Sequence, residues 1–494
     1  MSSIAALKQL YADIDALQGA EALMAWDQQV FMPPGSAGAR AAHLGCLLRM
    51  SHELFTSDKM QRLIEEAAKE AEPGTEDAAT VRVLKRALDQ RTKIPATLVE
   101  EKGRLGTLGH EIWAKARQDN DFGHFAPILG QLIELTKQEG ECLGYTDHIY
   151  DALTDQYEEG ATKKSWDHMF DGIRKPIVEL VAAIKEAGPV DDSALYGDWP
   201  EADQRAFCDH IARAVGFDFN IGRQDTAVHP FCGGPSTTDV RLTTRFKNYL
   251  PSAIMGTLHE AGHGMYEQGT PVEWAGSPLA GGVSLGWHES QSRTWENIVG
   301  RSHAFWTFML PKLHEAFPAT KAFDADSFVK LLNKVEPSFI RVEADEVTYS
   351  LHIMVRFEIE CALMDGSLAV KDLPEFWNEK YRSYLGIVPE TDSVGCLQDV
   401  HWSAGAFGYF PTYAMGSILS YQVFDCLRAD LGDVDAMMAK GEFAPILHWL
   451  QEKVYRQGKR YTPADLVQRV TGKAFGPEAY IAGISAKYKA LYGI

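Results

Sequence analysis

Apolar residues recur three and four positions apart along most of this 494-residue chain, a period that commits it to helices burying one face each. The pattern runs over Ser3–Met24, Lys59–Ala71, Glu76–Thr92, Ala126–Leu143, Lys164–Ala187 and Glu201–Val215. It returns at Ser327–Lys334, Thr348–Met364, Leu373–Tyr384, Gly416–Leu431 and Phe443–Tyr455. The breaks are short and rich in Gly, Pro or Asp, as at Met32–Ser36, Glu72–Thr75 and Gly188–Pro200, and such residues end helices and set turns. No internal repeat or low-complexity tract interrupts the series. Gly216–Leu250 departs from it: Val240–Phe246 alternates as a strand does, and turn residues cluster at Cys232–Ser236. The expectation is a mainly α fold with a small β-sheet just before a helix. Residues 1–494 are read as one domain, two helical lobes around a single cleft.

The chain is 45% apolar and 23% charged, which excludes disordered and fibrous architectures. Its formal net charge of −20 reads as a solubility surplus. That charge also argues against nucleic acid or an anionic membrane as main partner, because both require a basic face. No run of 18 apolar residues occurs, so no transmembrane helix is expected. The first 23 residues carry Asp13 and Asp15 and lack a basic start followed by an apolar core; they read as a helix rather than a signal peptide. Seven scattered cysteines without a CxxC pair are read as free thiols of a cytoplasmic protein.

Chemistry enters at His259-Glu260-Ala261-Gly262-His263. On a helix, residues four apart share a face, so both imidazoles converge on one metal ion. Glu260 stands about 100° round the helix, placed to take a proton from water beside the metal rather than to bind it. Ser252 is expected to cap this helix. The three fixed residues alone arise by chance in roughly 3–5% of chains this long, so supporting features decide. A catalytic zinc site takes three protein ligands and leaves one position open. Glu289, in Trp287-His288-Glu289-Ser290-Gln291, is the chosen third ligand, with Glu296 in reserve. His288 is read as a hydrogen-bonding neighbour and Glu267 as a solvated side chain. Gly262 and Gly264 flank His263 and permit close approach of substrate or of another segment. Downstream, the Gly- and aromatic-rich Gly395–Tyr413 offers His401, Tyr409 and Tyr413 as donors to the oxyanion of amide hydrolysis.

Together these segments resemble the carboxypeptidase Taq family of metallocarboxypeptidases. The resemblance rests on co-linear motifs: His229-Pro230-Phe231, Asp239-x-Arg241-x-Thr243, His259-Glu260-x-x-His263 and His288-Glu289-Ser290-Gln291. Ile340-Arg341-x-x-Ala344-Asp345 and Gly395-x-x-Gln398-Asp399-x-His401-Trp402 complete the series, with Trp26-Asp27 and Met32-Pro33-Pro34 upstream. It implies a helical fold with a long deep groove, a small sheet beside it and the metal at its floor. It also implies a homodimer that removes single residues from peptide C-termini, with broad side-chain tolerance and with Zn2+ or Co2+.

A carboxypeptidase must hold the free carboxylate of its substrate, and Arg does so bidentately. By position in the motifs Arg341 and Arg241 are the candidates, set against structural pairing with Asp345 and Asp239. Asp345 is read as orienting Arg341 or a histidine, and Asp399 as fixing a histidine tautomer. His229 is placed at the substrate backbone. His401 and Tyr413, with Tyr409 as the alternative hydroxyl, are placed at the oxyanion. An endo-oligopeptidase, an enzyme releasing dipeptides and a non-catalytic peptide-binding scaffold are the competing readings.

Overall fold

The computed structural model describes residues 2–494. Helices dominate, and most begin where a side chain accepts from an otherwise orphaned backbone N–H: Ser57, Thr75, Asp121, Thr162 and Ser284 each do so. Expected and observed boundaries agree closely at Glu201–Val215, Lys163–Ala187 and Tyr349–Asp365. The first helix runs on to Val30, beyond the expected Met24. The helix expected from Ala126 starts at Phe122, because Asp121 caps it and Phe122 and Phe125 bury a turn upstream. Ala37–Phe55 and Ala96–Asp119 are helices that the periodicity does not announce. The first buries little beyond Ser51 and Phe55, and the second carries glycines where other helices carry apolar side chains.

One continuous apolar core extends from Leu105 to Tyr488, and a smaller one joins the helices Ser3–Val30, Asp58–Glu70 and Glu76–Lys93 through Leu7, Ile14, Ile64 and Leu84. Three strands lie between these two bodies of helix. They are β1 (Gly222–Thr226), β2 (Cys232–Ser236) and β3 (Asp239–Thr244), in the order β1-β3-β2. β3 pairs in parallel with β1 and antiparallel with β2, so the outer edge of β2 is left without a strand partner. The expected strand Val240–Phe246 thus ends two residues earlier, at Thr244. Among the described residues all seven cysteines are free, and no helix is long and apolar enough to cross a membrane.

Candidate metal centre and groove

The helix bearing both histidines is Leu250–Gln268, with Pro251 in its first turn. Proline lacks the N–H that a first turn leaves unpaired and has φ preset for it. That moves the start upstream of Ser252, which therefore does not cap the helix. His259 and His263 project from one face with ring centroids 5.0 Å apart. Glu289 reaches them from the neighbouring helix Leu285–Arg293: its Oε2 lies 3.7 Å from His259 Nε2 and 3.6 Å from His263 Nε2. Three donors each about 2.1 Å from one tetrahedral ion stand roughly 3.4 Å apart, so the set fits a divalent metal. Among the described residues these three form the one such cluster of His, Cys, Asp or Glu.

Glycines set the spacing between the helices. A Cβ on Gly262 would lie 2.6 Å from the Gln291 carbonyl oxygen, and one on Gly416 2.4 Å from Glu289 Cβ. Glu289 is therefore carried on a helix held between two others that approach at glycine. Gly262 accordingly serves helix contact, the structural side of its expected role.

The three donors are oriented from behind. His259 Nδ1 lies 2.9 Å from Glu296 Oε2. A carboxylate only accepts, so Nδ1 carries a proton and Nε2 is the nitrogen turned toward Glu289. Glu296 thus pairs with His259 and is not one of the three converging donors. It sits where the Glu289 helix widens into a π-helical turn, Thr294–Val299. On the other side Glu267 Oε1 accepts from His288 Nε2 at 2.6 Å, and His288 Nδ1 lies 3.3 Å from His263 Nδ1. The same reasoning passes along this relay: His288 donates to Glu267, accepts from His263, and leaves His263 Nε2 free for metal. Glu267 is therefore a tethered group, contrary to the expectation of a solvated one. Burial is the largest influence on both Glu260 and Glu296. It raises the Glu260 carboxyl to about 7; Arg293 and His259 overcome it at Glu296 and hold that carboxyl down to about 2. Arg293 donates to Glu289 Oε1 at 2.6 Å and to Glu296 Oε2 at 3.2 Å. Its place four residues after Glu289 is the only sequence signal for it.

His259, His263, Glu267, His288 and Glu289 line a cavity of about 770 Å³, with Glu260, β2, the first helix and both Tyr409 and Tyr413, while Arg293 and Glu296 stand behind that lining. The family model that matches residues 6–488 is that of carboxypeptidase Taq (M32) metallopeptidases. The chain belongs to that family. It is 40% identical to carboxypeptidase 1 of Bacillus subtilis over 96% of this chain and 95% of the relative. Identity to thermostable carboxypeptidase 1 of Thermus thermophilus is also 40%, with the same coverage. Its fold matches the crystal structure of an M32 carboxypeptidase from Deinococcus radiodurans with a TM-score of 0.97 at 36% identity, over 100% of both chains. The Pyrococcus furiosus carboxypeptidase structure described as Apo-Mg matches with a TM-score of 0.96 at 36% identity, over 99% of both chains. The protein is a metallocarboxypeptidase, a peptide-bond hydrolase that depends on a divalent metal.

The structure distributes the remaining candidates of this carboxypeptidase unevenly. Tyr409 and Tyr413 face the cavity with ring centroids 5.1 Å apart. Burial above all pushes both hydroxyls up, keeping them protonated donors. His401 stands behind them, 5.5 Å from the Tyr409 ring; burial brings it down to about 4, so it is neutral at pH 7. Its Nδ1 is buried without a hydrogen-bond partner among the described residues, so Asp399 does not fix its tautomer. Asp399 instead accepts from Arg341 Nε at 2.9 Å and from Arg356 Nε at 2.7 Å. Arg341 is buried, bonded also to the Tyr349 hydroxyl at 3.2 Å, and stacks 5.1 Å from the Tyr413 ring. Asp345 pairs with no arginine or histidine; it accepts from Val347 N, Thr348 N and Thr348 Oγ1 at the turn entering the next helix. Arg241 forms the expected pair with Asp239, two bonds of 2.8 Å, and lies 4.2 Å over Trp26, tying the first helix to the sheet. His229 is exposed, while the adjacent Pro230 and Phe231 line the cavity.

Proposed function

We propose that the enzyme holds Zn2+, with Co2+ able to replace it, on His259, His263 and Glu289, and removes single residues of many kinds from peptide C-termini. One observation carries this reading: three converging donor atoms at the floor of a groove that also exposes Glu260 and two tyrosine hydroxyls. Bound there, the metal supplies Lewis-acid activation of water and polarises the scissile carbonyl. Glu260 takes the proton of the attacking water and returns it to the departing amine. Tyr413, with Tyr409 as the alternative, donates to the developing oxyanion, and His401 shapes this donor wall from behind. The edge of β2 offers unpaired backbone groups to an extended peptide, with His229 beside it.

Arg341 and Arg356 share the single charge of Asp399, so a positive surplus stands behind Tyr413. That surplus draws the substrate's terminal carboxylate toward Arg341; Arg241 contributes by holding the sheet against the first helix. A homodimer acting in the cytoplasm is part of the same reading, supported by the family resemblance, the free cysteines and the negative charge.

Mass spectrometry of one short peptide, digested as the free acid and as the C-terminal amide, tests the proposal. Stepwise loss of single residues from the acid alone is expected. Internal cuts, or equal digestion of the amide, would replace it with an oligopeptidase that needs no carboxylate clamp.

A further inference from the structure

Charge along the cavity is one-sided. Asp15, Glu260, Glu267 and Glu289 line it, and among the described residues Lys459 is the only lysine or arginine that does. Its backbone is pinned: the N–H donates to the Leu279 carbonyl at 3.0 Å, and its own carbonyl accepts from Arg82 at 2.7 Å. The ammonium, in contrast, has no carboxylate within 4.0 Å and no side-chain hydrogen bond among the described residues. Asp15 and Glu267 feel its charge, which opposes the effect of burial on both carboxyls, yet neither closes on it. A half-buried cation left open in an acidic groove is a recognition element, because field lines there focus on the one group of opposite sign.

Position decides what it recognises. Lys459 lies near Glu267, whose carboxylate feels its charge and holds His288, whereas Tyr409 and Tyr413 line the cavity in front of the buried Arg341, the end proposed for the terminal carboxylate. Peptide residues upstream of the scissile bond are left for the Lys459 wall. We propose that Lys459 selects peptides bearing an acidic side chain, Asp or Glu, upstream of the bond that is cut. The inference rests on the carboxypeptidase reading of this cavity and adds its substrate preference.

The test uses N-acetylated tetrapeptides with a free C-terminus, identical except for Glu or Gln at the second or third residue from the end. Values of kcat/KM are compared for wild type, Lys459→Met, Lys459→Arg and Lys459→Glu. Wild type is expected to favour the Glu peptide at one of these positions by about three- to fivefold at low ionic strength, less in high salt. Lys459→Arg should retain the preference, Lys459→Met bring the ratio near one, and Lys459→Glu invert it. Because each value is a ratio within one protein, partial misfolding of a variant cancels. An unchanged ratio in all four proteins would overturn the assignment. So would a Lys459→Met variant that instead loses discrimination between free acid and amide, since Lys459 would then be the terminal clamp. Failure of wild type to digest even the Gln peptides would overturn the underlying reading of the cavity, a result distinct from both.

Discussion

Two walls face each other across the groove, built from similar ionic groups but left with opposite surplus. On the metal wall four carboxylates, Glu260, Glu267, Glu289 and Glu296, stand against two guanidiniums, Arg293 and Arg301, and the ammonium of Lys459. Behind the tyrosine wall two guanidiniums, Arg341 and Arg356, stand against one carboxylate, Asp399. Neither cluster is a stability device, since buried ion pairs roughly break even against apolar packing. Their value lies in the remainder: the negative surplus suits a divalent cation and the positive one a peptide carboxylate. A chain of net charge −20 thus keeps a cationic site by local arrangement, which overall charge does not reveal.

The largest effect is expected at Glu260. Glu260→Gln keeps the three donor atoms but cannot carry the proton. It is expected to lower kcat by about 10²–10⁴ while bound metal, measured by atomic absorption, stays at one per chain. Loss of metal together with activity would assign Glu260 to the ligand set instead.

Next comes the anion shared by the second wall. Asp399→Asn leaves Arg341 and Arg356 buried without a counter-charge and should cost about 3–5 kcal/mol of stability, read as an earlier urea midpoint. An unshifted midpoint would show that the pair is not held by Asp399. On the metal wall Glu267→Gln has a smaller effect. It loosens the relay through His288 to His263, so the metal dissociation constant should rise about 10–100-fold, with kcat at saturating metal nearly restored. Unchanged affinity would mean that His263 needs no such orientation.

The smallest effect on turnover is a pH dependence of stability. Glu360 accepts from Trp402 Nε1, the Tyr150 hydroxyl and Gly408 N, bracing the loop that carries His401 and Tyr409. Burial, foremost, raises its carboxyl from 4.5 to about 7. The folded state therefore holds this proton more tightly than the unfolded chain does. The associated stability is complete below pH 4.5 and is lost as pH rises through 7. Relative to Glu360→Gln, wild type should lose up to about 3 kcal/mol between pH 5 and 8; parallel profiles would remove Glu360 from this role.

Much of the site was legible without coordinates, because its chemistry is encoded locally. His259 and His263 converge through helix geometry alone, and helix periodicity announces Glu201–Val215 and Tyr349–Asp365. Arg356 and Glu360 could have been suspected as charged residues inside the apolar run of Thr348–Met364. Glu158 carries no such signal. It is buried and accepts from Ser284 Oγ and Gly286 N, fixing the start of the Glu289 helix from more than a hundred positions upstream. Gly416 opens the periodic run Gly416–Leu431, and nothing in that spacing announces that Glu289 packs against it.

Helices, the pairing of His259 with His263, the place of Glu260 between them and, through co-linear motifs, the family all follow from the amino-acid sequence alone. They do so because each is a short-range relation along one chain segment. Which carboxylate meets which cation is set by how distant segments pack together. That packing set Glu296 and Glu267 behind the three converging donors rather than among them, gave Asp399 to two arginines rather than to His401, and left Lys459 open in the groove. Partners of buried charges are chosen by whatever packing brings within about 3 Å, where desolvation makes an unpaired ion costly, and that proximity is not written in spacing along the chain.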